Sequence, residues 1–239
     1  MMKSCLISIL VSLASFTTAW GQASGTQVTE TDSTLTLRNS KVRVEFPKGE
    51  AFDISKLTLN GKELVLSKGY NTVPWTLTYK GPQGENPVLF PSHGEYAGWA
   101  KTTKDGHVAI AFKWNMRLTY QDLVPVVMTV SLPGDSELAY WDIQAGTPDG
   151  WLVSNTQFPR ITVTRPDKAK LITSAGWGAE YNLSNPQVYT SSYPSVTGSM
   201  QLLLLHNPDG SVYYATEDRE ACGKDFRAAV GDKSVTLLT

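Results

Sequence analysis

Apolar side chains fall on every second position through much of this 239-residue chain. Val42, Val44 and Phe46 alternate with Arg43 and Glu45; Val108, Ile110, Phe112 and Trp114 alternate with His107, Ala109, Ala111 and Lys113. Val124, Val126, Met128, Val130 and Leu132 alternate with Pro125, Val127, Thr129 and Ser131. A period of two is the mark of strands with one buried face. Each large side chain turned inward contributes about 1.5–3 kcal/mol, so a one-residue slip forfeits several such contributions and register is firmly set. Turn signals separate the runs: Asn60-Gly61, Asp105-Gly106, Pro133-Gly134-Asp135, Pro148-Asp149-Gly150, Pro166-Asp167 and Pro208-Asp209-Gly210. Asn-Gly and Asp-Gly supply the positive φ that tight hairpins need. Met200 to Leu205 is apolar on both parities except at Gln201, which predicts a central strand covered on both sides. No stretch of ten or more residues beyond the N-terminal segment has a helical period. The pattern predicts an all-β fold, a large antiparallel β-sandwich of two stacked sheets.

Residues 1–21 depart from this pattern. Lys3 precedes an apolar run from Cys5 to Phe16 broken only by small serines, and Ala19-Trp20-Gly21 places small residues at the cleavage-specifying positions. That is the layout of an export signal peptide, and the run is shorter than the ~20 apolar residues of a membrane-spanning helix. The expected organisation is a signal peptide at 1–21, a flexible Thr/Gly/Gln-rich lead-in at 22–33 and one sandwich domain at 34–239. The mature chain is expected to be periplasmic or extracellular, with no membrane span. The sequence stops within the strand-like run Ser234-Val235-Thr236-Leu237-Leu238-Thr239, so a further C-terminal part of the protein is also expected.

The net charge is −1, and Lys3 leaves with the signal. Such a chain offers no basic surface to a phosphate backbone, so nucleic acid is not an expected partner. Cys5 also leaves with the signal, and Cys222 is then expected to stand alone, with stability supplied by the core. His93, His107 and His206 lie far apart without metal-ligand spacing. No nucleophile elbow and no Gly-rich phosphate loop is present, and no catalytic residue, metal or cofactor is assigned.

Two sets of residues remain. Glu217, Asp218 and Glu220 cluster after Val212-Tyr213-Tyr214-Ala215, with Arg219, Lys224 and Asp225 close behind. They read either as a solvated loop with internal ion pairs or as carboxylates that hold sugar hydroxyls. Trp99, Trp151, Trp177, Tyr181, Tyr189 and Tyr193 fall among Gly, Ser and Pro and are expected in loops, as caps on the sandwich or as platforms for the apolar face of a sugar ring. Trp75, Trp114 and Trp141 are expected in the core.

Thr36 to Phe46, Ile54 to Leu59 and Asn60-Gly61-Lys62-Glu63-Leu64 resemble the opening of the galactose-mutarotase-like supersandwich. The resemblance continues through Val126–Leu132, Pro133-Gly134-Asp135-Ser136, Trp141 and Phe158-Pro159. Its most specific part runs from Tyr193-Pro194 and Ser199-Met200-Gln201 through Gly210 to Asp218, Lys224 and Phe226, and is similar to the N-terminal region of bacterial glycoside-hydrolase-like proteins of the DUF6259 type. In such proteins the sandwich precedes a catalytic (β/α)8 barrel. The resemblance implies a carbohydrate-binding or substrate-flanking domain of an exported glycoside hydrolase, inactive alone, whose partners are an oligo- or polysaccharide and the following catalytic domain. Mutarotases use a histidine pair that has no counterpart here. Trp177, Tyr193, Glu217, Asp218 and Lys224 are the expected substrate-binding residues. Alternative readings are a free-standing carbohydrate-binding module and a non-catalytic structural sandwich.

Overall fold

The computed structural model describes residues 9–11, 25–48, 54–64, 73–120, 122–165, 167–175, 178–195, 198–207 and 210–239. In chain order the strands are β1 (Ile9–Val11), β2 (Gln27–Glu30), β3 (Thr34–Arg38), β4 (Val42–Pro47), β5 (Lys56–Leu59), β6 (Lys62–Leu64), β7 (Thr76–Lys80) and β8 (Val88–Leu89). Then come β9 (Gly94–Lys104), β10 (His107–Arg117), β11 (Leu123–Leu132), β12 (Ala139–Ala145), β13 (Leu152–Gln157), β14 (Ile161–Thr164) and β15 (Lys170–Thr173). The last are β16 (Ala179–Asn182), β17 (Gln187–Tyr193), β18 (Leu202–Asn207), β19 (Gly210–Thr216), β20 (Lys224–Val230) and β21 (Ser234–Leu238). Among the described residues the one helical element is a single 3-10 turn at Pro91–His93.

The strands form a sandwich, as the alternation requires. One layer is a nine-stranded sheet in the order β16-β15-β18-β19-β1-β12-β11-β10-β9, with antiparallel neighbours throughout. Facing it are a five-stranded sheet (β2-β3-β4-β5-β6), a three-stranded sheet (β13-β7-β8) and a four-stranded sheet (β14-β21-β20-β17). Backbone hydrogen bonds from Arg160 N–H to the Pro74 carbonyl and from Phe158 N–H to the Thr239 carbonyl join the three- and four-stranded sheets. Tight hairpins form where predicted: Asn60 and Gly61 take φ of 45° and 78°, Asp105 and Gly106 take 51° and 80°.

The core between the layers is continuous. Phe46 of β4 meets Phe112 of β10 at 4.8 Å and Trp141 of β12 at 6.2 Å between ring centroids. Trp75 packs edge-on against Trp114 at 5.5 Å, and Tyr214 of β19 meets Phe226 of β20 at 6.4 Å. Each of the three facing sheets is thus held to the large sheet by an aromatic contact. The Tyr214 hydroxyl also donates to the Pro159 carbonyl at 2.8 Å. Asn39 fastens the five-stranded sheet at its rim. Its Oδ1 accepts from the Lys41 and Val42 N–H groups, and its Nδ2 donates to the Pro133 and Ser136 carbonyls of the turn between β11 and β12.

The structure differs from the expectations at five points. Trp99, Tyr181, Tyr189 and Tyr193 lie in strands (β9, β16 and β17), while Trp151 precedes β13. No residue of β9 or β16 and only Ser191 of β17 is fully buried, and Trp99, Tyr181, Tyr189 and Tyr193 are half-buried against the edge of the core, so no apolar alternation announces these strands. In β18, Leu203 and Leu205 are buried, but Leu202 and Leu204 are only half-buried and Met200 is exposed, so one face alone is fully covered. Within the predicted lead-in, Gln27–Glu30 pairs with β3. Within the predicted signal, Ile9–Val11 pairs with both β12 and β19, an apolar tripeptide completing two ladders. Cys222 is disulfide-bonded rather than alone; Cys5, the other cysteine of the chain, lies outside the described residues.

Truncating Phe46 to Ala should lower unfolding free energy by about 3–5 kcal/mol, because the hole opens where two sheets interlock. Tyr120, 91% exposed, should tolerate Ala within about 0.5 kcal/mol. Urea unfolding of the two variants checks both.

Candidate functional site

An open groove of about 590 Å³ lies where the three-stranded and four-stranded sheets adjoin. Asn155 and Gln157 of β13 form part of one wall; Ser192, Tyr193, Lys224, Asp225 and Arg227 supply much of the other, with Thr239 also in the lining. Antiparallel register brings this second wall together, since Tyr193 pairs with Lys224 and Ser192 with Asp225. The Ser192 hydroxyl donates to Asp225 Oδ1 at 2.6 Å, and the Arg227 guanidinium stands 3.9 Å from Asp225 Oδ2.

A buried ion pair holds this wall. Lys224 and Asp218 have side chains only 5% and 4% exposed, with Nζ and Oδ2 2.6 Å apart. Lys224 Nζ also donates to Gln201 Oε1 at 3.1 Å and to the Cys222 carbonyl at 2.7 Å, and lies 5.5 Å from the centre of the Tyr193 ring. Its three protons thus have three acceptors. Asp218 accepts from the Glu220 N–H on Oδ1 and from the Cys222 N–H on Oδ2, which folds residues 218–222 into a tight loop. Burial alone would raise the Asp218 carboxyl, but the Lys224 ammonium and the two backbone N–H groups outweigh it and hold the carboxyl below its usual range.

The expected substrate-binding residues therefore separate. Tyr193 and Lys224 line the groove, and Asp218 sits behind it on Lys224. Glu217 follows β19, adjacent in sequence to Asp218, but lines a different cavity beside Tyr140 and Asp142. Trp177 lies outside the described residues. Sequence reasoning overlooked Gln201, whose amide donates to the Asp218 carbonyl and whose oxygen accepts from Thr216 and Lys224. The signal was present: Gln201 is the one polar interruption of an apolar run, a position that needs a polar partner.

Chemically, the described lining presents groups suited to hydrogen bonding and ring contact. Among the described lining residues Asp225 is the one carboxylate side chain, whereas glycoside hydrolysis ordinarily uses two. Tyr193 offers an aromatic surface, and Asn155, Gln157 and Arg227 offer amide and guanidinium groups of the kind that meet sugar hydroxyls. Among the described residues no group of three or more His, Cys, Asp and Glu side chains is arranged to hold a metal ion.

Replacing Asp218 by Ala should cost about 3–5 kcal/mol, because a buried ammonium loses its counter-charge. The folded carboxyl titrates below the unfolded one, so its stabilisation is complete above about pH 3.9 and is lost as pH falls through the lower folded value. Asp218→Asn should therefore flatten the acid limb of a stability–pH curve measured by chemical denaturation.

The chain is 39% identical over 234 residues to a protein of Bacteroides thetaiotaomicron named "Putative glycoside hydrolase". The match takes in 98% of this chain and 34% of that protein, so the chain spans about a third of the length of the relative it matches. No protein-family model matches the chain.

Proposed function

We propose that this chain is a non-catalytic, substrate-flanking domain of an exported glycoside hydrolase, with a galactose-mutarotase-like sandwich. Hydrolysis belongs to a (β/α)8 barrel elsewhere in the longer protein. One observation carries this reading: the sequence match runs through almost the whole sandwich yet accounts for only a third of a protein bearing a glycoside hydrolase name. The chemistry of the groove supports it. Its wall combines an aromatic ring, amides and a guanidinium but has a single carboxylate, which suits holding a glycan better than cleaving one. In this reading the Lys224–Asp218 pair keeps the Tyr193 ring in place, and the groove steers an oligosaccharide toward the catalytic domain.

The chain by itself should release no product from a panel of p-nitrophenyl glycosides. Turnover that survives purification would overturn the non-catalytic assignment. Affinity electrophoresis in gels containing soluble polysaccharides should show retardation by at least one glycan. Tyr193→Ala should weaken that binding about two- to tenfold, the range expected for one aromatic contact; unchanged retardation would move the glycan off the groove. Export is checked separately by sequencing the N-terminus of the protein recovered from its native host. A new terminus near Gln22 is expected, which takes β1 and Cys5 out of the mature chain, and an intact Met1 would remove export from the reading.

A further inference from the structure

A second cavity, of about 270 Å³, opens on the face of the nine-stranded sheet turned away from the core. Its position follows from register. Ile110, Phe112, Met128, Val130 and Trp141 point into the sandwich, so their neighbours Thr129, Ser131, Tyr140 and Asp142 point outward. Thr129 pairs with Asp142, and Ser131 with Tyr140. Further along the same face the sheet carries Ala109 and Ala111, small side chains that leave a low floor. Lys104, Asp105 and His107 from the β9–β10 hairpin form one bank, and Glu217, just past β19, stands on the other.

Asp142 is the unusual member. The residue is 4% exposed, and Oδ1 is buried without a hydrogen-bond partner. Its other oxygen accepts from Gln144 Nε2 at 3.3 Å and stands 3.6 Å from Lys104 Nζ. A buried carboxylate oxygen with no donor is a costly arrangement unless something outside the chain supplies one. Glu217 is exposed and lines the cavity with Tyr140, and its charge joins burial in raising the hydroxyl pKa of Tyr140 and of Tyr213. Tyr140 in turn stacks on His107, with ring centroids 6.1 Å apart and planes within 13°.

We propose that this cavity is a second ligand site, independent of the groove, that takes one neutral sugar ring. Asp142 Oδ1 and the Glu217 carboxylate accept hydroxyl protons, Thr129 and Ser131 add hydroxyl groups, and Tyr140 gives an aromatic edge. The size fits one ring better than an oligosaccharide, since it falls just below the roughly 300–1,000 Å³ of sites for larger ligands. The charge selects against acidic sugars: Asp105, Asp142 and Glu217 outnumber Lys104 in the lining. A metal ion is the poorer occupant, because no metal-holding group of three such side chains occurs among the described residues.

Saturation-transfer NMR on the purified chain tests this, using D-glucose, D-galactose, D-mannose, L-fucose, D-xylose and D-galacturonate as probes. At least one neutral sugar should give a signal, and D-galacturonate none. Glu217→Ala, at an exposed position, and Asp142→Asn should each weaken binding tenfold or more, the change expected when one charge-assisted hydrogen bond is lost. Tyr193→Ala should leave it unchanged. Silence from every neutral sugar, or equal binding by the wild type and a folded Glu217→Ala variant, overturns the second site. Loss in Tyr193→Ala with none in Glu217→Ala overturns it too, and leaves the groove reading standing. A thermal melt of each variant confirms that it is folded.

Discussion

Burial of aromatic rings between two layers is the constraint on which everything else in this molecule depends. The nine-stranded sheet is one continuous surface, but among the described residues the facing layer is three sheets with no continuous ladder between them. Backbone hydrogen bonds at Arg160 and Phe158 join the three- and four-stranded sheets, and each piece of the layer is seated by a ring contact with the large sheet: Phe46 on Phe112 and Trp141, Trp75 on Trp114, Phe226 on Tyr214. Close packing transmits position, so the seam between the three- and four-stranded sheets, where the groove lies, is set by rings buried well beneath it.

The two carboxylates that follow β19 show how neighbours in sequence take opposite roles. Asp218 is enclosed, with a lysine and two backbone N–H groups for partners, and its charge organises a loop. Glu217 is exposed, and its charge acts on Tyr140 and Tyr213 instead. Strand geometry accounts for the divergence, because consecutive side chains at a strand end leave on opposite faces. One concavity is therefore walled by a neutralised, rigid pair, and the other retains uncompensated acceptors. The first arrangement suits shaping a surface; the second suits meeting hydroxyl groups.

Relation to the matched glycoside hydrolase fits this division. Among the described residues that line the groove, Asp225 is the one carboxylate side chain, whereas glycosidic cleavage uses a pair. A domain of this kind can lengthen a binding surface, and binding energy gathered away from the reacting bond is a known source of catalytic advantage. The roles proposed for Tyr193 in the groove and for Glu217 in the second cavity are roles in recognition.

The strand class, the two hairpins at Asn60-Gly61 and Asp105-Gly106, and the inward set from Val42 to Leu132 could be read directly from the chain, because a period of two and a positive-φ turn are local properties. The strands carrying Trp99, Tyr189 and Tyr193 could not, since these rings are only half-buried at the edge of the core and no regular apolar alternation marks the strands. Lys224 and Asp218 could be picked out as a nearby pair of opposite charges. Their enclosure depended on Gln201, just before β18, and Tyr193 at the end of β17, which arrive from other parts of the chain. Asp142 gave no signal at all, being an ordinary polar residue in an alternating strand until the fold buried it beside Thr129 and opposite Glu217. Local alternation thus determined which residues turn inward, whereas long-range register decided which polar groups meet on the other face, because that choice depends on contacts between segments far apart in the chain.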